Sequence, residues 1–372
     1  MLFKDVIGQA ELKNHFVQEI NSGKISHAQL FLGNTGFGGL PLALAFVQYL
    51  FCLNRTSSDS CGTCPSCNKV QSLQHPDLHF SFPVVQAIEK KSDAFLKDWR
   101  KIITDSPYFN LNQWVNFIDD KGRKPIIGTE ESNEIIKKLS LKSYEGGFKV
   151  MIIWMAEEMN PTCANKLLKI LEEPPKDTLF ILLSESQDLM LQTILSRTQI
   201  VKIPRIQLDD LSQKIADNFP VSSSDATSIA AQSEGCFLTA KELLGSHEAA
   251  DQNREFFIQM MRVCYKKDVL EMMSWAEQVA ALGREKQKVF LKYALHMFRQ
   301  SLLKNYTQNQ LTRTSKEEDD FLSKFSRFIT GNNIHSFMNF FNEAHYHIDR
   351  NANPKILFTE LCFKSMRFIH FA

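Results

Sequence analysis

The sequence predicts an α/β domain built on a doubly wound parallel sheet, followed by a helical second half. Three observations carry this. Short continuous apolar runs alternate with helical patterns from Met1 to about Arg205, a glycine-rich stretch follows the first such run, and beyond about Ala250 the pattern is helical and rich in Phe and Met. Continuous apolar runs suit strands buried on both faces, and the segments between them suit crossover helices.

The expected strands are 28–33 (AQLFLG), 149–155 (KVMIIWM), 178–184 (TLFILLS) and 199–203 (QIVKI). Between the second and third, Asn160 is a good helix N-cap, Pro161 fits the first helical position, and Pro174 and Pro175 end the helix. After Pro204 the stretches LDDLSQKIADNF, SDATSIAAQSEG and TAKELLGS read as short helices joined by polar turns. Further on, Val289, Phe290, Tyr293, Ala294, Met297 and Phe298 recur at helical spacing and define one expected buried face. Residues 83–124 break the scheme. They mix Lys/Asp pairs with Trp99, Trp114 and several Phe residues, and read as an insertion with some helix.

At 372 residues the chain has room for two or three domains of about 150 residues each. Its formal net charge of +1 carries no global signature of a nucleic-acid binder, so any DNA contact needs a local patch or a partner. No run approaches the roughly 20 apolar residues of a membrane span, and MLFKDVIGQAELKNHF has charges where a secretory signal is apolar. A cytoplasmic location is expected. There disulfides are disfavoured, and clustered cysteines point to metal.

Cys52, Cys61, Cys64 and Cys67 follow the spacing C-x8-C-x2-C-x2-C. Four thiolates close a tetrahedral zinc shell, and the x2 spacings let tight turns aim two sulfurs at one ion. The alternatives are buried or reactive cysteines, or an iron–sulfur cluster. Full coordination by cysteine makes a zinc here structural. Cys163, Cys236, Cys264 and Cys362 are scattered and read as packing.

The stretch FLGNTGFGGLPLALAF, residues 31–46, has the form of a strand, a phosphate-cradling glycine loop and a helix. Gly33, Gly36 and Gly38 fall where such a loop needs them. The next two residues are Gly39 and Leu40, where a working loop has Lys and then Ser or Thr to hold the phosphates and Mg²⁺. The carboxylates expected after the run 149–155 are also missing. Trp154 and Met155 stand there, with Glu157 and Glu158 displaced into the following turn or helix. Two absent parts argue for a pseudo-ATPase; the bland alternative is a plain glycine-rich turn. Arg197, in Ser196-Arg197-Thr198, sits at the end of a helix just before a strand. It is either a surface arginine or one able to reach a phosphate on a neighbouring subunit.

FKDVIGQAELK (3–13), SHAQLFLGNTGFGG (26–39), the four-cysteine segment, HPDLHF (75–80), SYEGGFKVMII (143–153), CANKLLKILEEPP (163–175) and TILSRTQ (193–199) occur in this order. Together they resemble the bacterial DNA polymerase III clamp-loader family, AAA+ proteins of the delta-prime and gamma/tau types. RNANPKILFTEL (350–361) resembles the end of the delta-prime collar, so the likeness runs nearly the full chain and is weakest over 83–124 and the middle helical region.

The resemblance implies an AAA+ phosphate-loop domain over 1–205, with a zinc module at about 52–67 and the insertion at about 83–124. A small helical lid over 206–250 and a helical collar for oligomerisation over 251–372 follow. In this family gamma/tau subunits keep the Lys-Ser/Thr and acidic pairs, whereas delta-prime lacks working versions and offers an arginine from a Ser-Arg-Cys motif to its neighbour's ATP. Here that arginine is Arg197, with Thr198 in place of Cys. The segment 235–244 shows no arginine where many AAA+ proteins place one against their own nucleotide.

The implied function is a non-hydrolysing clamp-loader subunit, catalytic only through Arg197 in trans, that assembles with gamma/tau and delta and meets the sliding clamp and primed DNA through the complex. Structural Zn²⁺ is the expected cofactor, and the remnant loop Gly33–Gly36–Gly38 makes ATP a doubtful ligand of this chain. The alternatives are an ATP-hydrolysing gamma/tau-like subunit with unusual ligands, which needs two replacements, and a stand-alone zinc-dependent nucleic-acid-binding protein. Near-neutral charge counts against the last.

Overall fold

Five short strands pair side by side, all parallel, in the computed structural model, which describes residues 1–245, 247–307, 314, 316–350 and 352–370. Of the stretches read above, Ser246, residues 308–313 and 315, Asn351 and residues 371–372 lie outside the described residues. The chain divides into two compact units, Met1–Lys241 and Glu242–Ala372.

The first unit opens with α1 (Ala10–Ser22), then β1 (Ala28–Leu32), the glycine loop, α2 (Gly39–Phe51) and α3 (Pro65–Gln71). Next come β2 (Leu78–Ser81), α4 (Leu96–Asp105), α5 (Leu111–Ile118) and α6 (Thr129–Ser140). The series closes with β3 (Lys149–Trp154), α7 (Pro161–Glu172), β4 (Thr178–Ser184), the one-turn α8 (Gln192–Leu195) and β5 (Gln199–Lys202). Three further helices follow: α9 (Leu208–Asn218), α10 (Ser223–Gln232) and α11 (Phe237–Gly245), the last belonging to this unit as far as Lys241.

The sheet order is β2-β3-β4-β1-β5, in register at Leu78↔Val150, Val150↔Leu179, Ala28↔Phe180 and Gln29↔Gln199. β3 and β4 are buried along their whole length, which is why they read as unbroken apolar runs. The glycine loop leaves the C-terminal end of β1, between β4 and β5. Ligands of open parallel sheets bind beyond strand C-termini, where the chain order reverses. Asn160 caps α7 as expected, its Oδ1 accepting the Cys163 N–H at 2.7 Å.

Three sequence expectations change. β2 was not foreseen as a strand; only its pairing with β3 makes four residues with a half-exposed His79 into one. The insertion carries helix as expected, in α4 and α5, but its place in the core was not foreseen. Trp99 of α4 and Trp114 of α5 are fully buried in the same core as α2 and β3, Trp99 stacked on Phe82 at 4.1 Å and Trp114 edge-on to it at 5.1 Å between ring centres. Trp114 Nε1 donates to Pro83 O at 2.8 Å, which satisfies its one polar atom.

The second unit holds α12 (His247–Lys266), α13 (Val269–Ala280), α14 (Arg284–Thr307), α15 (Lys316–Phe325), α16 (Ile334–Asp349) and α17 (Pro354–His370). Its core is aromatic: Phe257, Trp275, Phe290, Phe298, Phe337, Phe341 and Phe358 are all fully buried. The third change falls here. Phe290, Ala294, Met297 and Phe298 face inward as expected and Tyr293 is partly buried, but Val289 is 47% exposed and Leu291 takes a core position instead. α14 is covered by α12 on one side and α16 on another, so its buried stripe is wider than one regular face and shifts by two residues.

Candidate functional site

The glycine loop is built from a tight run of local bonds. Gly33 N–H donates to Ser184 O at 3.0 Å, continuing the β1–β4 ladder by one step. Asn34 Oδ1 then accepts Gly36 N–H at 2.9 Å and caps a single 3-10 turn, Thr35–Phe37. Gly38, at φ +94°, turns the chain into α2 through a conformation that side chains resist. Gln9 fastens the loop from the other side, its Nε2 donating to Phe37 O at 3.0 Å and Pro204 O at 2.6 Å.

Each remaining surface of the loop meets this chain's own atoms. A Cβ on Gly33 would stand 2.6 Å from Ile203 O, and one on Gly36 would overlap Cys236 Sγ. One on Gly38 would stand 3.2 Å from Tyr108 Oη, whose oxygen also accepts Ile7 N–H at 3.0 Å. Thr35 N–H and Oγ1–H both donate to Glu185 Oε1 at 2.8 Å. Glu185 N–H in turn donates to Glu157 Oε1 at 2.8 Å, and burial holds the Glu157 carboxyl above its ordinary pKa. A backbone N–H that could face a phosphate thus faces a carboxylate.

Trp154 fills the end of β3. It is 1% exposed and lies 5.2 Å from Trp99 and 4.9 Å from Phe109, ring to ring. Met155 follows with a left-handed backbone, φ +54°, and Glu157 and Glu158 lie in the next short turn, Ala156–Glu158. The cavity between loop and strand, lined by Thr35, Leu40, Pro107, Phe109, Trp154 and Glu185 among others, measures about 20 Å³. That is room for one water, against about 300–1,000 Å³ for ligand pockets. The glycines that resemble a phosphate loop are required here by packing: Gly33 and Gly36 by close approach, Gly38 by its turn.

The four cysteines converge as the spacing predicted. Their sulfurs all lie within 4.8 Å of one another, with Cys52–Cys61 at 3.6 Å and Cys61–Cys67 at 3.9 Å. Zn–S bonds of about 2.3 Å in a tetrahedron place sulfurs about 3.8 Å apart. Sulfurs around an iron–sulfur cluster stand wider, because several atoms intervene. Cys52 follows the last turn of α2, and Cys64 caps α3 with Pro65 at its first position. Backbone N–H groups of Cys61, Cys64 and Cys67 donate to the sulfurs of Cys52, Cys61 and Cys64 at 3.3, 3.4 and 3.5 Å. N–H groups of Thr63 and Cys64 draw the Cys61 thiol down to about 6, while burial pushes Cys52 up. Thiolates packed this closely, three of them buried, need a cation to be charged together, so the residues fit a metal ion held by Cys52, Cys61, Cys64 and Cys67, with no open position. Among the described residues this is the one cluster of its kind.

Arg197 stands where the sequence put it, just after α8 and ahead of β5. Its side chain is 29% exposed and its guanidinium is bound: Nε donates to Glu172 Oε1 at 2.7 Å, Nη2 donates to the same oxygen, and Nη1 reaches Thr193 O at 2.8 Å and Ser196 Oγ at 3.2 Å. Glu172 is the last residue of α7. Sequence reading missed Tyr108, Glu172 and Glu185. The signal for Glu185 was its place directly after β4, beside the loop; for Glu172 it was the quoted LEEPP at the helix end.

Residues 8–207, more than half of the chain, match the family described as "DNA polymerase III, delta subunit". The chain belongs to the DNA polymerase III delta-prime clamp-loader family. Relatives of this family include the "DNA polymerase III subunit delta'" of Bacillus subtilis, 29% identical over 53% of this chain and 48% of that protein. The protein of the same name from Haemophilus influenzae is 26% identical over 68% of this chain and 65% of its own length. The "DNA polymerase III subunit tau/gamma" of Haemophilus influenzae is 24% identical over 63% of this chain and 29% of that protein. The chain therefore spans between 42% and 65% of the length of the delta-prime relatives it matches. Among the described residues, no helix is long and apolar enough to cross a membrane.

Proposed function

We propose that this chain is a non-hydrolysing subunit of a replicative clamp loader, which assembles with gamma/tau and delta subunits to place a sliding clamp on primed DNA. On this reading residues 206–250 act as a lid and 251–372 as the collar, and Arg197 is offered to ATP held by a neighbouring subunit. The observation that carries the reading is the filled cradle. A strand, glycine loop and helix of nucleotide-binding shape keep about 20 Å³ of space, and the loop's Thr35 N–H is already bonded to Glu185. A subunit with such a scaffold and no room for nucleotide contributes by its shape and by the groups it presents outward. The rival, an ATP-hydrolysing subunit, would need Glu157 or Glu158 in place of the acidic pair and another residue in place of the Lys; Oε1 of Glu157 is already engaged by Glu185 N–H.

Titration of the purified chain with ATP and Mg²⁺ should give neither binding at millimolar nucleotide nor turnover. Restoring the loop as Gly39→Lys with Leu40→Thr should leave that result unchanged, because Tyr108, Phe109 and Trp154 still fill the space. ATP hydrolysis by the purified wild-type chain would sink the reading.

Arg197→Ala tests the group presented outward. Arginines supplied in trans contribute about 10³–10⁵ in rate at their own site. In a loader with several ATP sites, total ATPase should fall in part, and clamp loading should fall further. Folding should stay intact, since a half-exposed ion pair holds about 1 kcal/mol or less. Arg197→Lys should rescue poorly, because an ammonium does not reproduce the planar fork. Clamp loading at the wild-type rate by an assembled Arg197→Ala loader would remove Arg197 from the mechanism.

A further inference from the structure

The guanidinium of Arg197 is more fully occupied than an arginine waiting for a phosphate needs to be. It has five N–H donors. Two, on Nε and Nη2, go to one oxygen of Glu172; Nη1 is drawn to Thr193 O and Ser196 Oγ. One N–H is left. An arginine that clamps two phosphate oxygens uses two parallel N–H groups, and the edges that supply such a pair are spent here. Thr193 and Ser196 belong to the same turn as Arg197 and move with it, whereas Glu172 comes from the end of α7, 25 residues earlier. The one bond that ties the side chain to a different element is therefore the carboxylate.

We propose that Glu172 is a positioning residue that parks Arg197, holding its fork on a carboxylate until a neighbouring phosphate takes over. This rests on the reading of Arg197 as the group offered to a neighbour's ATP. Glu172 is 48% exposed, so the pair is accessible to solvent and screened. Such a pair is weak enough to exchange: a triphosphate with its metal offers more charge and better fork geometry than one carboxylate oxygen. The exchange still has a cost, since the carboxylate must be left behind beside an incoming anion. Glu172 thus sets how readily the arginine is released, and it disfavours transfer in the absence of a fully charged phosphate.

The experiment uses the loader reconstituted with its gamma/tau and delta partners, with clamp and primed DNA present. Glu172→Gln keeps the side-chain shape and removes the charge. It should raise the kcat for ATP about two- to five-fold, the range that releasing an exposed ion pair allows. The KM for ATP should stay unchanged, because the arginine acts on the neighbour's transition state and not on capture of the nucleotide. In an Arg197→Ala background the same substitution should change nothing, a result that general loosening of α7 would not give. If Arg197→Ala lowers the rate but Glu172→Gln leaves it equal or lower, Glu172 aligns the arginine instead of parking it, and the proposal is overturned while the reading of Arg197 stands. If Arg197→Ala itself loads clamps at the wild-type rate, both fall together.

Discussion

Trp154→Asp, which places an acidic residue at the end of β3, should unfold the first unit instead of creating a nucleotide site. The side chain is 1% exposed and touches two aromatic rings of the insertion, Trp99 at 5.2 Å and Phe109 at 4.9 Å between centres. Removing a buried Trp ring costs about 3–5 kcal/mol in lost packing. A carboxylate left in that space has no cation beside it, and burying it unpaired costs several kcal/mol more or forces it to take up a proton. Against a total stability of about 5–15 kcal/mol, this is most or all of what the unit has. Urea unfolding followed by circular dichroism should show the midpoint collapse, whereas Trp154→Phe, which keeps an aromatic ring, should lose only about 1–2 kcal/mol. A Trp154→Asp protein that unfolds at the wild-type midpoint would mean that the aromatic cluster is not what closes the cradle. In this chain the insertion packs, through Trp99 and Phe109, on the tryptophan that ends β3.

That coupling marks the boundary of what the sequence could disclose. The identities of Gly39, Leu40, Trp154 and Met155 were legible, because each stands at a fixed offset from a strand that its apolar run announces. What packs against them was not. Trp99 and Phe109 reach Trp154 across about 45 to 55 positions of chain, and nothing in their spacing names the partner. Glu185 and Glu172 were obscure for the same reason: each makes its decisive bond to an element far away in sequence, Thr35 and Arg197. β2 escaped notice because four residues with a histidine among them carry too little pattern, and only Leu78↔Val150 and its neighbours settle their state. The cysteine cluster was legible because its geometry is local. Three of its four ligands lie within seven residues, where the turn itself fixes the distances.

Replacing Cys64 with Ser should abolish metal binding and release the segment that the cluster holds to the rest of the unit. Purified wild-type chain should carry about one equivalent of zinc, and Cys64→Ser close to none, since three thiolates no longer complete the tetrahedral shell, while the serine hydroxyl can still cap α3. Structural zinc sites contribute about 10–16 kcal/mol in isolated peptides, but here the cluster is attached to a folded core and only the local part is lost. The bonds at risk can be named. Asp59, in the loop between Cys52 and Cys61, accepts the N–H groups of Phe3 and Lys4 at 3.0 and 3.1 Å, and Ser60 Oγ accepts Gln48 Nε2 at 3.1 Å. Without the ion to close the loop, these long-range bonds must order some eight residues unaided, at about 1–2 kcal/mol of backbone entropy each. Hydrogen exchange should therefore accelerate at Phe3, Lys4 and Cys61, while β3 and β4 stay protected. The thermal midpoint should fall by several degrees. Iron in place of zinc, or a wild-type exchange pattern in the Cys64→Ser protein, would refute a structural zinc at these four residues. Because the shell is closed by four sulfurs and the cluster lies beyond the far end of α2 from the glycine loop, its loss should leave the Arg197–Glu172 pair in place. Zinc-depleted chain that still assembles should then show the same response to Glu172→Gln as the zinc-loaded chain, separating what the metal holds together from what the arginine does.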